Sequence, residues 1–160
     1  MKNLSNEEKI RYLKRSYSAV DGLWFMKVEG SYDFEKALEI DNEVWKVIPK
    51  IQARFLKSTL KVDKGLQALE LCFCEKLRLD DIEFEVKSDE NSLIISISRC
   101  HWHELMVKSN REHLSPRIGE TICNTEYSCW AQEFGEGLSF KMLSRICDGG
   151  KACMLQFDGQ

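Results

Sequence analysis

The first half of the chain carries apolar side chains at helical spacing. Ser5 and Glu8 form a capping-box pattern, which predicts the start of a helix that continues to about Gly30. Its apolar positions recur every three or four residues. They are Ile10, Leu13, Tyr17, Val20, Trp24 and Val28.

A second helix is predicted after Asp33, which is a capping residue type. Pro49 lies inside this helix and predicts a kink or a break there. A third, shorter helix covers residues 64–77. The stripe expected on the second helix is Ala37, Val44, Ile48, Ile51 and Phe55.

The second half changes to a strand pattern. Residues 82–87 alternate between apolar and charged, which predicts a half-buried strand, and residues 93–99 form its return strand after a loop. Two short helices are expected at residues 114–123 and 125–134. A second hairpin follows, with strands at 138–147 and 152–157 and a turn at 148–150.

Helices segregated from antiparallel hairpins predict an α+β fold, with N-terminal helices packed on an antiparallel sheet of two β-hairpins separated by helices. At 160 residues, one domain spanning 1–160 is expected. Within it, residues 1–78 form a helical part. Residues 79–160 form a hairpin–helix–hairpin part that carries a cluster of cysteines.

Composition limits the function classes. Net charge is −3 with the two signs interleaved, so no basic patch indicates nucleic-acid binding. Apolar runs are far shorter than the roughly 20 residues of a membrane helix, and no secretory signal is recognised. We therefore expect a cytoplasmic protein with neither a nucleic-acid nor a membrane partner.

Cysteines are the most informative residues, because seven occur in a chain expected in a reducing compartment. Cys147 and Cys153 flank the second turn, which suits either two ligands of one metal or a disulfide. Cys123, expected at a helix N-terminus, should have a lowered pKa. Cys100 and His103 are further candidate ligands. Cys72 and Cys74 are predicted to lie in the core.

The stretch that ends at Cys100 predicts how this site meets the sheet. Ile94, Ser96, Ser98 and Cys100 alternate along one strand, so that face is expected to lead into the cysteine site. Trp102 would then cover the site.

Two carboxylates fall on the predicted apolar helix faces. Asp21 precedes Trp24 by three positions and Asp41 precedes Trp45 by four. Together with Trp102 they could line a polar and aromatic ligand pocket. The alternative is a pair of structural acids bonded to neighbouring polar groups.

Several motifs carry a family resemblance: CHWHELM at 100–106, REH at 111–113, EFG at 133–135 and ICDG at 146–149, with VDGLWF at 20–25. They resemble an uncharacterised prokaryotic family over nearly the whole chain. More distantly, the C-terminal half is similar to the 4-vinyl-reductase-type domain, a small-molecule-binding module, and to aminothiazoline-carboxylate hydrolases.

This second resemblance implies a structural zinc beside an aromatic-ligand pocket. The zinc would be held by Cys123 (or Cys129), Cys147 and Cys153. The glutamate of that pattern falls at Ser144, so the fourth ligand would have to be a residue such as Cys100 or His103.

The resulting hypothesis is a small-molecule-binding protein with a cysteine-rich structural metal site. Its metal would be zinc, with iron as the alternative, and its ligand aromatic or apolar; a homodimer is compatible with it. A second hypothesis is a thiol hydrolase, with Cys123 or Cys100 as nucleophile and His103 or His113 as base. A third is a redox switch that closes Cys147 and Cys153 into a disulfide.

Overall fold

The computed structural model describes residues 3–159, and helices form its first part as the sequence predicts. Helix α1 spans Asn6–Ser31, and its capping box is present: Ser5 Oγ accepts from the Glu8 amide at 3.1 Å while Glu8 accepts from the Ser5 amide at 2.7 Å. Helix α2 is Phe34–Trp45 and α3 is Ile48–Leu60. The break between them confirms the effect of Pro49, which lies in the first turn of α3.

The remaining elements alternate between helices and strands. They are α4 (Leu66–Leu79), β1 (Phe84–Ser88), β2 (Ser92–Ile97), α5 (His101–Lys108), a 3-10 turn (Glu112–Leu114), α6 (Ser115–Ile118), a π-helical turn (Gly119–Cys123), α7 (Asn124–Phe134), β3 (Ser139–Ser144), a 3-10 turn (Ile146–Asp148) and β4 (Cys153–Asp158).

One antiparallel sheet collects the described strands in the order β1-β2-β4-β3. Both predicted hairpins are present, and pairing of β2 with β4 joins them. The fold is therefore α+β, as predicted. Gly149 takes the left-handed conformation, with φ of 88°, at the turn expected from residues 148–150.

The chain divides into two compact units, residues 1–41 and 42–160. The sequence-based division between residues 78 and 79 falls inside the second unit. In that unit α4 and α7 pack on the sheet, and α3 packs on both helices. Across residues 3–159 we find no helix with the length and apolar character needed to span a membrane.

The core of the second unit is centred on aromatic rings. The ring of Phe73 packs edge-on against Trp130 at 5.2 Å, Phe157 at 5.4 Å and Tyr127 at 5.7 Å between centroids. Such contacts add to the free energy gained from burying the rings. Cys72 and Cys74 are buried in this core, which confirms their prediction.

The predicted stripe of the second helix is wrong for three residues. Val44, Ile51 and Phe55 are exposed, whereas Pro49, Ala53 and Leu56 are the buried side chains of α3. The break before Pro49 restarts the helical phase, so one stripe cannot continue through both helices. The small side chain of Ala53 then lies on the face of α3 that packs on α4 and α7.

Candidate functional site

Four cysteines lie where secondary-structure elements begin or end. Cys100 precedes α5, Cys123 ends the π-helical turn, Cys147 lies in the second 3-10 turn and Cys153 begins β4. Every cysteine of the chain is a free thiol. We call Cys100, Cys123, Cys147 and Cys153 the thiol cluster.

A series of contacts connects the segments that carry the cluster. The Ile146 amide donates to Cys153 Sγ at 3.4 Å, and Ile146 is the neighbour of Cys147. An added Cβ on Gly119 would lie 2.8 Å from Cys147 Sγ, so the helix that continues to Cys123 passes directly beside this thiol. Glycine at 119 is what permits this approach.

The segment that carries Cys100 contacts the other segments through the start of α5. His103 Nδ1 lies 2.9 Å from Ser115 Oγ, and Ser115 is buried one helical turn before Gly119. The His103 amide in turn donates to Cys100 Sγ at 3.5 Å, so Cys100 caps α5 with its sulfur. A metal bound by His103 would have to use Nε2, because Nδ1 faces Ser115.

Electrostatic interactions connect the four thiols. Burial raises the pKa of Cys123 well above its ordinary value, and negative charge on Glu126 and on the other three thiols raises it further. Burial also raises the pKa of Cys147 to about 11, with added contributions from Asp148, Cys153 and Cys100. Ionisation of one thiol therefore disfavours ionisation of the others.

The predicted low pKa of Cys123 is wrong. The two helices expected around it form one continuous helical run, and Cys123 has helical φ of −63° and ψ of −38°. It therefore has no free helix N-terminus beside it to stabilise a thiolate. Burial and nearby negative charge raise its pKa instead.

The prediction of which strand face leads to the cysteine site is wrong. β2 ends at Ile97, and Cys153 is the partner of Ile97 on β4. Cys153 therefore shares the buried face of Ile95 and Ile97, rather than the face of Ile94 and Ser96. Cys100 lies beyond the strand, in the cap of α5, and Trp102 follows it as a half-buried side chain.

The second hairpin also differs from its prediction at Cys147. β3 ends at Ser144, with an irregularity in its pairing between Met142 and Ser144, and Cys147 occupies a 3-10 turn instead of a strand. The Gly150 amide closes this turn by donating to the Arg145 carbonyl at 2.9 Å. Cys147 is thereby turned towards Gly119 and the helical run.

Sequence reasoning missed a buried ion pair beside the cluster. Lys76 on α4 and Glu126 on α7 are both buried, with Lys76 Nζ 2.8 Å from Glu126 Oε1 and 3.3 Å from Asp80 Oδ2. Burial by itself lowers the pKa of Lys76, but the charges of Glu126 and Asp80 raise it overall. The signal was present, since Glu126 lies on the apolar face of α7, three residues after Cys123 and four before Trp130.

The five candidate ligand-binding residues have unlike surroundings. In the first unit Asp21 is half-buried, with a pKa raised by burial; Trp24 is exposed and Asp41 is buried. In the second unit Trp45 is buried and Trp102 half-buried.

Two open surface depressions have volumes of about 340 and 440 Å³. The smaller is lined by residues of the second hairpin turn and the larger by one side of α1. None of the five candidate residues lines either depression.

Metal binding would require side-chain movement. Within the part of the chain that the structure describes, no group of three or more His, Cys, Asp or Glu side chains is already arranged around one point. The thiols of the cluster would have to rotate about their Cα–Cβ bonds to meet an ion. Their chemistry fits zinc or iron, which thiolates bind well.

The chain belongs to DUF6125, a family of unknown function whose model matches residues 2–153. This agrees with the resemblance seen in the motifs over nearly the whole chain. A search of curated proteins finds no match. Neither comparison supports the likeness to 4-vinyl-reductase-type domains or to aminothiazoline-carboxylate hydrolases.

Proposed function

We propose that the second unit binds a structural metal ion, zinc by preference, through the thiol cluster. The observation that carries this proposal is the convergence of four cysteines from four separate segments. Each segment is joined to the next by a contact described above. Four separate segments each contribute one thiol, and a tetrahedral zinc ion takes four such donors.

Electrostatics gives the physical reason for an ion. Without a cation, burial and the charges of neighbouring thiols raise the pKa of Cys123, Cys147 and Cys153, so these thiols stay protonated. A divalent cation reverses this relation, because it stabilises every thiolate at once. Backbone amides that donate to Cys100 and Cys153 would then help to hold the negative charge on sulfur.

Arg145 supplies a compensating positive charge. Its side chain is 16% exposed and is held by Asn124 at 3.0 Å and Asp148 at 3.3 Å. The guanidinium lowers the pKa of both Cys147 and Cys153 against the larger effect of burial. Four thiolates around one divalent ion carry a net charge of −2, which such a neighbour partly offsets.

The thiol-hydrolase hypothesis has less support. A cysteine nucleophile reacts as its thiolate and is activated by a lowered pKa. In this chain the pKa of every cysteine is raised, chiefly by burial, as at Cys100 and Cys123. His103, the nearest candidate base, is held at Nδ1 by Ser115.

The small-molecule ligand stays a prediction. The smaller depression is lined in part by Ser144, Arg145 and Asp148, which precede and follow Cys147 in the chain, so it is the place where we expect a ligand. A reducing compartment such as the cytosol would keep the thiols available for metal, and the cytoplasmic location remains part of this proposal.

Elemental analysis of anaerobically purified protein tests the metal site. We expect about one zinc or iron per chain, and three or four thiols protected from a thiol reagent until the metal is chelated. Cys123→Ala and Cys147→Ala should each lose the metal. Cys129→Ala is the matched control, since Cys129 is buried on α7 away from the cluster and should leave the metal content unchanged.

Two results would overturn the proposal. One is metal-free protein in which all seven thiols titrate at similar rates. The other is metal that remains at full stoichiometry in Cys123→Ala, because the ion would then be held elsewhere.

A further inference from the structure

Helix α1 carries a seam of exposed apolar side chains. The seam residues recur at alternating intervals of three and four, the spacing of a and d positions in a coiled coil. None of the described residues of α1 is buried, and the exposure along the seam runs from 44% at Tyr17 to 66% at Val20. The seam is Ile10, Leu13, Tyr17, Val20 and Trp24.

We propose that α1 pairs with α1 of a second copy of this chain as an antiparallel two-helix coiled coil. An antiparallel pair sets each a position against a d position of the other helix. Tyr17 then faces Val20 of the second copy, and Trp24 faces Leu13 of the second copy. Each layer combines one large side chain with a smaller one, which favours close packing.

A parallel pair packs less well. Its layers would set Tyr17 against Tyr17 and Trp24 against Trp24, which crowds two large rings at the same level. The next d position is Lys27, so a parallel pair would also bring two lysines together there. In the antiparallel pair Lys27 faces Ile10 of the second copy and can extend its amine to water.

Charges beside the seam favour the same orientation. Lys14 and Asp21 occupy the e positions of successive heptads, and e positions face each other in an antiparallel pair. Lys14 of each copy therefore lies beside Asp21 of the other, and symmetry makes this contact twice. In a parallel pair Lys14 would face Lys9 of the second copy, which is repulsive.

The size of the seam predicts a weak dimer. α1 has 26 residues and is about 39 Å long, but the seam occupies little more than two heptads. Its two aromatic rings per copy supply a large share of the roughly 1,200 Å² that a specific interface buries. We therefore expect association that depends on protein concentration in the micromolar range.

Sedimentation equilibrium of the full chain over a range of concentrations tests the dimer. We expect a mass that rises from 18.6 kDa towards twice that value. Val20→Lys, in the centre of the seam, should weaken association at least about tenfold. Ala19→Lys is the matched control, since Ala19 is exposed, adjacent in sequence and off the seam. Circular dichroism checks that both variants keep their helix content.

A charge-reversal pair tests the orientation. Lys14→Asp should weaken the antiparallel dimer by placing two carboxylates together, and the double variant Lys14→Asp/Asp21→Lys should restore it. Tighter association of Lys14→Asp would instead show a parallel pair, because the introduced carboxylate would then attract Lys9 of the second copy. A mass of one chain at every concentration, or a dimer that Val20→Lys and Ala19→Lys affect equally, would overturn the proposal.

Discussion

The thiol cluster and the core cysteines contain the same side chain in two different settings. Cys72, Cys74 and Cys129 are buried inside helices; Cys72 and Cys74 belong to the apolar core, and Cys129 Sγ donates to the Lys46 carbonyl at 3.8 Å. The cluster thiols come from four segments of the chain: Cys100 caps α5, Cys123 lies within the helical run, Cys147 lies in a 3-10 turn and Cys153 begins β4. Burial raises the pKa in both sets, but only in the cluster do other thiols also raise the pKa, as they do at Cys123, Cys147 and Cys153. The neighbours of each thiol, rather than its residue type, thus separate packing from candidate chemistry.

The buried ion pair of Lys76 and Glu126 joins a core helix to the surroundings of the thiol cluster. Breaking this pair should have the largest effect on stability. Lys76 is on the core helix α4, and Glu126 is beside the cluster. Lys76→Met would leave a buried carboxylate without its main partner, so we expect the free energy of unfolding to fall by about 3–5 kcal/mol. Urea unfolding of the metal-free protein would measure this loss.

The double variant Lys76→Met/Glu126→Leu is the control for this prediction. Because it removes both charges, it should recover most of the lost stability. Equal destabilisation in the single and double variants would show that packing, rather than the unpaired charge, sets the cost.

The pH dependence of stability should differ between the metal-free and metal-loaded protein. Burial and the charge of Glu70 raise the pKa of Cys74 to about 11 from an ordinary value of 9.0. A thiol with a raised pKa holds its proton more tightly in the folded chain, so its contribution is complete below pH 9.0 and is lost as pH rises towards 11. Metal-free protein should therefore lose stability over this alkaline window.

Metal-loaded protein should in addition lose stability as pH falls, because protons compete with the ion for the thiolates. Urea titrations at a series of pH values, with and without chelator, would measure both trends. Cys74→Ala should reduce the alkaline loss without altering the acid one. Identical pH profiles with and without chelator would contradict an ion in the cluster.

The smallest expected change in the free energy of unfolding comes from replacing a single core cysteine. Cys72 is fully buried, and Cys72→Ala removes one sulfur from the apolar cluster around Phe73. We expect a loss of about 1 kcal/mol, the scale of one buried methylene-sized group, and no change in metal content. Loss of metal from this variant would erase the distinction between the two sets of cysteines.

Local signals in the sequence predicted much of the fold. The capping box at Ser5 set the start of α1, Pro49 separated α2 from α3, and Gly135 follows the end of α7. Alternation of apolar and charged residues located the first hairpin, and the turn residues at 148–150 located the second. Each of these signals acts over a few residues, so the sequence displays it directly.

The sequence could predict which cysteines belong to the candidate site, but not how they are arranged. Cys100, Cys123, Cys147 and Cys153 could be named from spacing and resemblance. Their sulfur–amide contacts, the close passage of Gly119 and the participation of Glu126 depend on segments distant in sequence. No local pattern records such contacts.

The sequence by itself determined where most helices and strands form, because capping, proline and alternation are local effects, although it did not predict α5 at His101–Lys108. The tertiary structure alone decided which faces are buried, as the exposed Ile51 and the buried Ala53 show. It also decided that Cys123 lies within a continuous helical run, where its pKa rises instead of falling. Burial and pairwise charge depend on neighbours brought together by folding, and a residue's own sequence context does not contain them.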